Sequence, residues 1–278
     1  MDIEAGLKRP KIDMHCHSWR FEKEEDEGVS TDCLVEVGTE LGITEFWCSS
    51  PVLGERVWEI GDVQGENNAV HRAMKRHPNH IRGMCHVQPS HHLAALDELE
   101  RCLDLGMIGL KLYHQYKLSD PVHWPVIERA IDHKIPILMH AGWLAPEPLA
   151  GQPNVSHGGH FAVTSQRYPE AMLIHAHIGG GGDWERSLRE MHEAGPNVYV
   201  DVSGSNLDDG QVEFTVEQMG IDRVLFGTDG TMTGCVGKVL DAKLGEDEKE
   251  MIFWGNSERV LAAQGAKPLT ARNNEVSR

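Results

Sequence analysis

Short apolar runs alternate with longer amphipathic segments along nearly the whole chain. The runs that read as strands cover 11–17, 44–48, 81–88, 107–113, 136–140, 171–177, 197–202 and 223–228. Helical patterns lie between them, the first from Ser30-Thr31-Asp32, whose side chains suit an N-cap. The others fall near 65–77, 91–105, 121–133, 160–168, 183–194, 208–220 and 246–263. In 91–105 the apolar positions 93, 96, 99 and 103 recur at helical spacing, and Gly106 stands where a C-cap belongs. Arg20 to Gly28 reads as a charged loop and Ala141 to Gly159, rich in Pro and Gly, as the longest irregular segment.

Eight strands alternating with eight helices, at a repeat of 25–40 residues, imply parallel βαβ units. A count of eight and a core of about 250 residues favour closure into a (β/α)8 barrel over an open doubly wound sheet. No GxGxxG follows the first strand, which removes the usual reason to choose a dinucleotide fold. The expectation is an α/β protein with one TIM-barrel domain over 1–278, its core about 11–263 and 264–278 a polar tail.

Composition changes this picture little. The formal charge of −17 argues against nucleic acid and anionic membranes as partners, since both reward a basic footprint. No apolar run approaches the roughly 20 residues that span a bilayer. Met1 to Pro10 lacks the apolar centre of a signal peptide. Cys16, Cys33, Cys48, Cys85, Cys102 and Cys235 include no CxxC pair and suit a reducing compartment. Cytoplasm is the expected location, a homo-oligomer is allowed, and no disulfide is needed.

The chemistry concentrates where apolar runs end. Side chains two apart on a strand point the same way, so His15 and His17 project together with Asp13 below them. Lys111 sits on strand four, His140 ends strand five, His175 and His177 end strand six, and Asp229 follows strand eight. A barrel places its site at these carboxyl ends. Imidazoles, a carboxylate and an amine around one mouth point to a divalent metal. His175, one layer deeper than His177, reads as a core histidine, and Asp13 as a residue that orients the strand-one pair. Trp19, Trp47 and Trp143 follow strands one, two and five; with Tyr113 they are candidate apolar walls for a substrate. His157 and His160, in the fifth loop, are either near substrate or simply exposed.

His15-x-His17, Gly109-Leu-Lys111-Leu-Tyr113, Pro136-Ile-Leu-Met-His140, His177-Ile-Gly179-Gly180 and Leu225-Phe-Gly-Thr-Asp229 resemble, in order, motifs of the amidohydrolase superfamily. The last two resemble its amidohydrolase-related branch, which contains metal-dependent lactonases and aromatic or muconate-type decarboxylases. The resemblance implies a distorted TIM barrel binding one or two divalent metals, with zinc expected and manganese the alternative. It implies His15, His17, His140 and Asp229 as ligands, and His177 as a second-metal ligand or a general acid/base. Lys111 would either carry a carbamate bridging two metals or neutralise a substrate carboxylate.

The expected activity is metal-dependent hydrolysis of a lactone, ester or amide of a small carboxylate-bearing molecule, with Asp229 moving the proton. Non-oxidative decarboxylation of an aromatic or muconate-type acid is the alternative within enzymes. A catalytically silent barrel that binds a small acid is the alternative outside them.

Overall fold

The computed structural model describes residues 3–53, 57–142, 152–178 and 182–269. A short helix α1 (Ile3–Lys8) precedes β1 (Lys11–His17), and the repeat then runs α2 (Glu24–Glu40), β2 (Ile43–Ser49), α3 (Ile60–Arg76) and β3 (Ile81–His86). It continues with α4 (Leu93–Asp104), β4 (Gly109–Leu112), α5 (Trp124–Asp132), β5 (Ile137–Met139), α6 (Gly158–Arg167) and β6 (Leu173–His175). The last third holds α7 (Trp184–Glu190), β7 (Val198–Asp201), α8 (Gln211–Met219), β8 (Val224–Leu225), α9 (Met232–Asp241), α10 (Glu246–Glu250) and α11 (Asn256–Ala263).

All eight strands pair in parallel in sequence order, from β1 to β8. The seam between β8 and β1 closes through Met14 N–H to Phe226 O (3.0 Å) and Asp229 N–H to His15 O (2.8 Å). The result is the expected α/β architecture, a distorted (β/α)8 barrel. Two apolar clusters fill it. One lies between strands and helices, joining residues such as Leu110, Val200 and Phe226 to Val70, Leu99 and Val236. The other joins Met14, Trp47, Met84, Leu138, Ile174 and Leu225. Residues of six strands around a closed sheet meet only in its interior, so this cluster is the barrel's inner packing.

Several helices differ from the pattern reading, among them α1, which the pattern does not predict. The stretch read as a loop to Gly28 is helical from Glu24, because Glu24, Glu25, Asp26 and Glu27 place negative charge on the first turn. Glu27 also binds Arg72 of α3 at 2.7 Å, which anchors that turn. Helix α3 starts at Ile60 rather than 65. Helix α9 was not expected: Gly234 and Gly237 weaken its propensity, yet Met232, Cys235, Val236, Val239 and Leu240 repeat at helical spacing and are all buried.

The amino-terminal floor of the barrel is sealed by a buried ion pair. Arg82 Nε binds Glu45 Oε1 at 2.6 Å, and Trp47 Nε1 donates to the same oxygen at 2.9 Å. Leu269 N–H donates to Glu45 Oε2 at 2.6 Å and Arg82 donates to Lys267 O. Residues 267–269 therefore lie against this pair and add partners to both charges. Among the described residues no helix is long and apolar enough to cross a membrane.

Replacing Glu45 by Ala strands the Arg82 charge in the floor and should cost about 3–5 kcal/mol of unfolding free energy in urea titrations. The double replacement Glu45→Leu with Arg82→Leu should cost less than the single one. A second prediction concerns His123, buried just before α5, whose Nε2–H donates to Tyr116 O (3.4 Å). Burial pushes its pKa down from 6.5 to about 4. Above pH 6.5 both states are neutral there; as pH falls toward 4 only the unfolded chain takes up the proton, so stability falls. From pH 6.5 to 5 this group should remove about 2 kcal/mol, and His123→Gln should flatten that part of the stability–pH curve.

Candidate metal centre

His15 and His17 leave β1 toward the carboxyl-end mouth, and Asp229 reaches them from just past β8. One ligand atom from each of the three lies within 4.8 Å of the others. Asp229 Oδ1 is 2.8 Å from His17 Nε2 and 3.7 Å from His15 Nε2. The tautomers of both rings are set from behind. His15 Nδ1 hydrogen-bonds Asp201 Oδ2 at 2.9 Å, and His17 Nδ1–H donates to Ser49 O at 3.2 Å. Each ring therefore turns a bare Nε2 lone pair toward the Asp229 carboxylate. Acceptors facing one another call for a shared cation, so the donor set fits a divalent ion.

The centre has a second side. His140 Nδ1 and His177 Nε2 are 3.0 Å apart, and His177 Nδ1 lies 3.4 Å from Asp229 Oδ2. Lys111 Nζ, fully buried, is 2.9 Å from His15 Nε2. The structure thus brings His15, His17, Lys111, His140, His177 and Asp229 together at one mouth. Trp19 stacks on His17 with ring centroids 4.6 Å apart, and Tyr113 leans on His140 at 4.4 Å. Trp19, Tyr113, Leu34 and Pro51 wall one cavity of roughly 320 Å³ that opens onto His140, His177 and Asp229.

Other expected residues go elsewhere. Trp47 is fully buried in the inner packing with its indole on Glu45, so it belongs to the floor side rather than to a wall open at the mouth. Trp143 lies outside the described residues, as do Gly179 and Gly180. His175 points outward to Ser187 Oγ (2.8 Å) and Phe161, while His177 points inward. The two part company because the strand ends at His175 and His177 adopts φ 61°, which redirects its side chain. Asp229 is likewise left-handed, with φ 49°. Such backbone costs on the order of 1 kcal/mol or more per non-Gly residue and persists where the surroundings over-determine it. Here Asp201 Oδ1 accepts from His177 N–H (3.1 Å) and His15 O accepts from Asp229 N–H. His157 Nδ1 binds Glu190 Oε2 at 2.5 Å and His160 Nδ1 accepts from His157 N–H, so both serve the start of α6. Asp13 does not reach the rings; it accepts from the N–H groups of His15 (3.1 Å) and Thr228 (3.0 Å).

Asp201 and Ser203 were not expected. Ser203 Oγ lies 3.2 Å from His15 Nδ1 and 3.1 Å from His177 Nδ1. The signal for Asp201 was present: it is an acid closing the apolar run Val198-Tyr199-Val200, the same cue that marked Asp229.

Burial governs the charges. It lowers His17 to about 4 and His177 to about 3, and holds His140 well below the ordinary value, leaving neutral imidazoles. It lowers Lys111 to about 8 against the pull of Asp229 and Asp201. Burial pushes Asp201 and Asp229 upward, yet their polar surroundings outweigh it and hold both carboxyls well below their usual range. Asp201 accepts from His15 Nδ1–H and from the N–H groups of His177 and Ser203, and Asp229 stands against three imidazoles.

The family model described as Amidohydrolase matches residues 12–262. No curated protein matches the chain. Among solved structures, a dihydroxybenzoic acid decarboxylase from Polaromonas sp. JS666, with bound manganese and 2-nitroresorcinol, is 17% identical with a TM-score of 0.71, covering 91% of this chain and 96% of that one. A 4-oxalomesaconate hydratase from Rhodopseudomonas palustris is 15% identical with a TM-score of 0.72, covering 96% and 100%. A 5-carboxyvanillate decarboxylase from Novosphingobium aromaticivorans, complexed with manganese, is 15% identical with a TM-score of 0.68, covering 91% and 98%.

Asp201→Asn keeps the shape of the side chain but removes the carboxylate that orients His15. Metal affinity should fall about 10–100-fold, measured by competition with a chromophoric chelator, with the fold retained by circular dichroism.

Proposed function

The chain belongs to the amidohydrolase family, and from that premise we propose that it is a metal-dependent hydrolase of a small lactone or ester. The observation that carries this reading is the arrangement of two donor groups around one buried amine. His15, His17 and Asp229 form the first, His140 Nδ1 and His177 Nε2 the second, and the Lys111 charge acts on His17, His140 and His177 alike. His15, His17 and Asp229 would hold a divalent ion, which would supply Lewis acidity toward a carbonyl and lower the pKa of water to about 7.

The protein's own groups divide the remaining work. Asp229 uses Oδ1 toward His15 and His17 and keeps Oδ2 toward His177. That second oxygen accepts the proton of the attacking water and returns it to the leaving oxygen. His177, held neutral by burial, is the other proton carrier within reach. Lys111 offers a buried amine for addition of carbon dioxide, forming a carbamate and releasing a proton. The Trp19 and Tyr113 walls exclude water from the apolar part of the substrate.

Decarboxylation of an aromatic acid is the second reading, favoured by the manganese-bound decarboxylases whose fold this chain shares. Those chains are matched over 96% and 98% of their length, so chain length does not argue against it.

The metal-loaded protein should release acid from a panel of lactones and aryl esters. That activity should vanish on chelation, return with zinc or manganese, and fall about 10²–10⁴-fold in Asp229→Asn. Carbon dioxide released from hydroxybenzoates or muconate semialdehydes, with no ester turned over, would replace this reading by the second.

A further inference from the structure

A second cavity, of roughly 250 Å³, also opens onto the centre and does not include Trp19. It shares His140, His177 and Asp229 with the first, but its own surface is polar, with Gln152, Ser205 and Thr231. Among the described residues no lysine or arginine lines either cavity.

Gln152 stands between this cavity and His140. Its Oε1 is 3.2 Å from His140 Nε2. A carbonyl oxygen only accepts, so His140 carries its proton on Nε2 and leaves Nδ1 bare toward His177. The amide nitrogen of Gln152 has no acceptor among the described residues, and its side chain borders the cavity. The backbone beneath it is fixed from several sides. Val155 N–H donates to Gln152 O (3.1 Å), and Asn154 Nδ2 donates to Gln115 O (3.0 Å). Leu118 N–H donates to Ser156 Oγ (2.8 Å), while Gly142 N–H donates to Ser156 O (2.8 Å). These bonds hold the backbone that follows Gln152, and the His140 contact holds its side chain.

We infer that Gln152 has two tasks: its carbonyl positions His140 in the Nε2–H form, and its amide N–H selects a substrate bearing a neutral acceptor oxygen at that end. The first task rests on the His140–Gln152 contact. The second rests on the hydrolase reading above. The substrate then lies across the centre, its apolar part against Trp19 and Tyr113 and an ether, hydroxyl or carbonyl oxygen toward Gln152, Ser205 and Thr231. Among the described residues the side chains that line that end are neutral apart from those of the centre itself, which suits a neutral acceptor oxygen there.

Two variants separate the tasks. Gln152→Glu still accepts from His140 but has no N–H to donate; Gln152→Leu loses both. Long-range nitrogen–proton correlation spectra of the metal-free full chain report the His140 tautomer. Wild type and Gln152→Glu should show the Nε2–H form, and Gln152→Leu a shift toward Nδ1–H. Hydrolysis of para-nitrophenyl methoxyacetate and butyrate, a pair differing by one ether oxygen, reads the second task in the metal-loaded enzyme. The wild-type preference for the ether should shrink three- to tenfold in both variants, the worth of one neutral hydrogen bond, with the loss falling on KM more than kcat. An unchanged preference overturns the selecting role, and a tautomer unmoved in Gln152→Leu overturns the positioning role. If neither ester is turned over the hydrolase reading fails, while the spectra still decide what Gln152 does to His140.

Discussion

The seam where the last strand meets the first is the constraint on which the site depends. Short β8 pairs with β7, and its link to β1 rests on few bonds: Met14 N–H to Phe226 O, and the N–H groups of Thr228 and Asp229 to His15 O. Asp13 reinforces it from below, accepting from Thr228 Oγ1 at 2.6 Å as well as from two backbone N–H groups. Burial raises the Asp13 carboxyl to about 7, despite the Thr228 bonds and with Asp201 nearby adding to the effect. The same few residues that close the barrel also deliver His15, His17 and Asp229. Closure and ligand placement are one event.

Around that seam, groups of opposite demand are kept in balance by enclosure. Neutral imidazoles are what a metal needs, and removal from water supplies them at His17, His140 and His177. Carboxylates must stay ionised in the same dry space, which Asp201 and Asp229 achieve by standing among the histidines. Asp201 has a further part: one oxygen holds the His15 ring while the other fixes the strained backbone at His177 and accepts from Ser203 N–H. One carboxylate thereby sets the orientation of two strands' histidines.

The two ends of the barrel are treated differently. At the floor, Glu45, Arg82, Trp47, Lys267 and Leu269 satisfy one another. At the mouth, His17, His140, His177 and Asp229 are left facing cavities. A buried pair with all its partners stabilises and specifies; a cluster with bare lone pairs costs stability and is retained for chemistry.

Much of this was legible in the order of residues. Alternating apolar runs and amphipathic segments determine a parallel β/α repeat, because strands buried on both faces need continuous apolar residues. Polar residues at the ends of those runs located His15, His17, Lys111, His140, His177 and Asp229, since a barrel gathers its strand ends. What each side chain then touches was decided only by the tertiary structure. His15 finds its partner 186 residues away in Asp201, Trp47 turns to the floor, and a left-handed step separates His177 from His175. Gln152 meets His140 because a loop end is pinned onto neighbouring elements. Periodicity fixes which residues share a strand; hydrogen-bond partners depend on distances between strands, which only closure of the barrel sets.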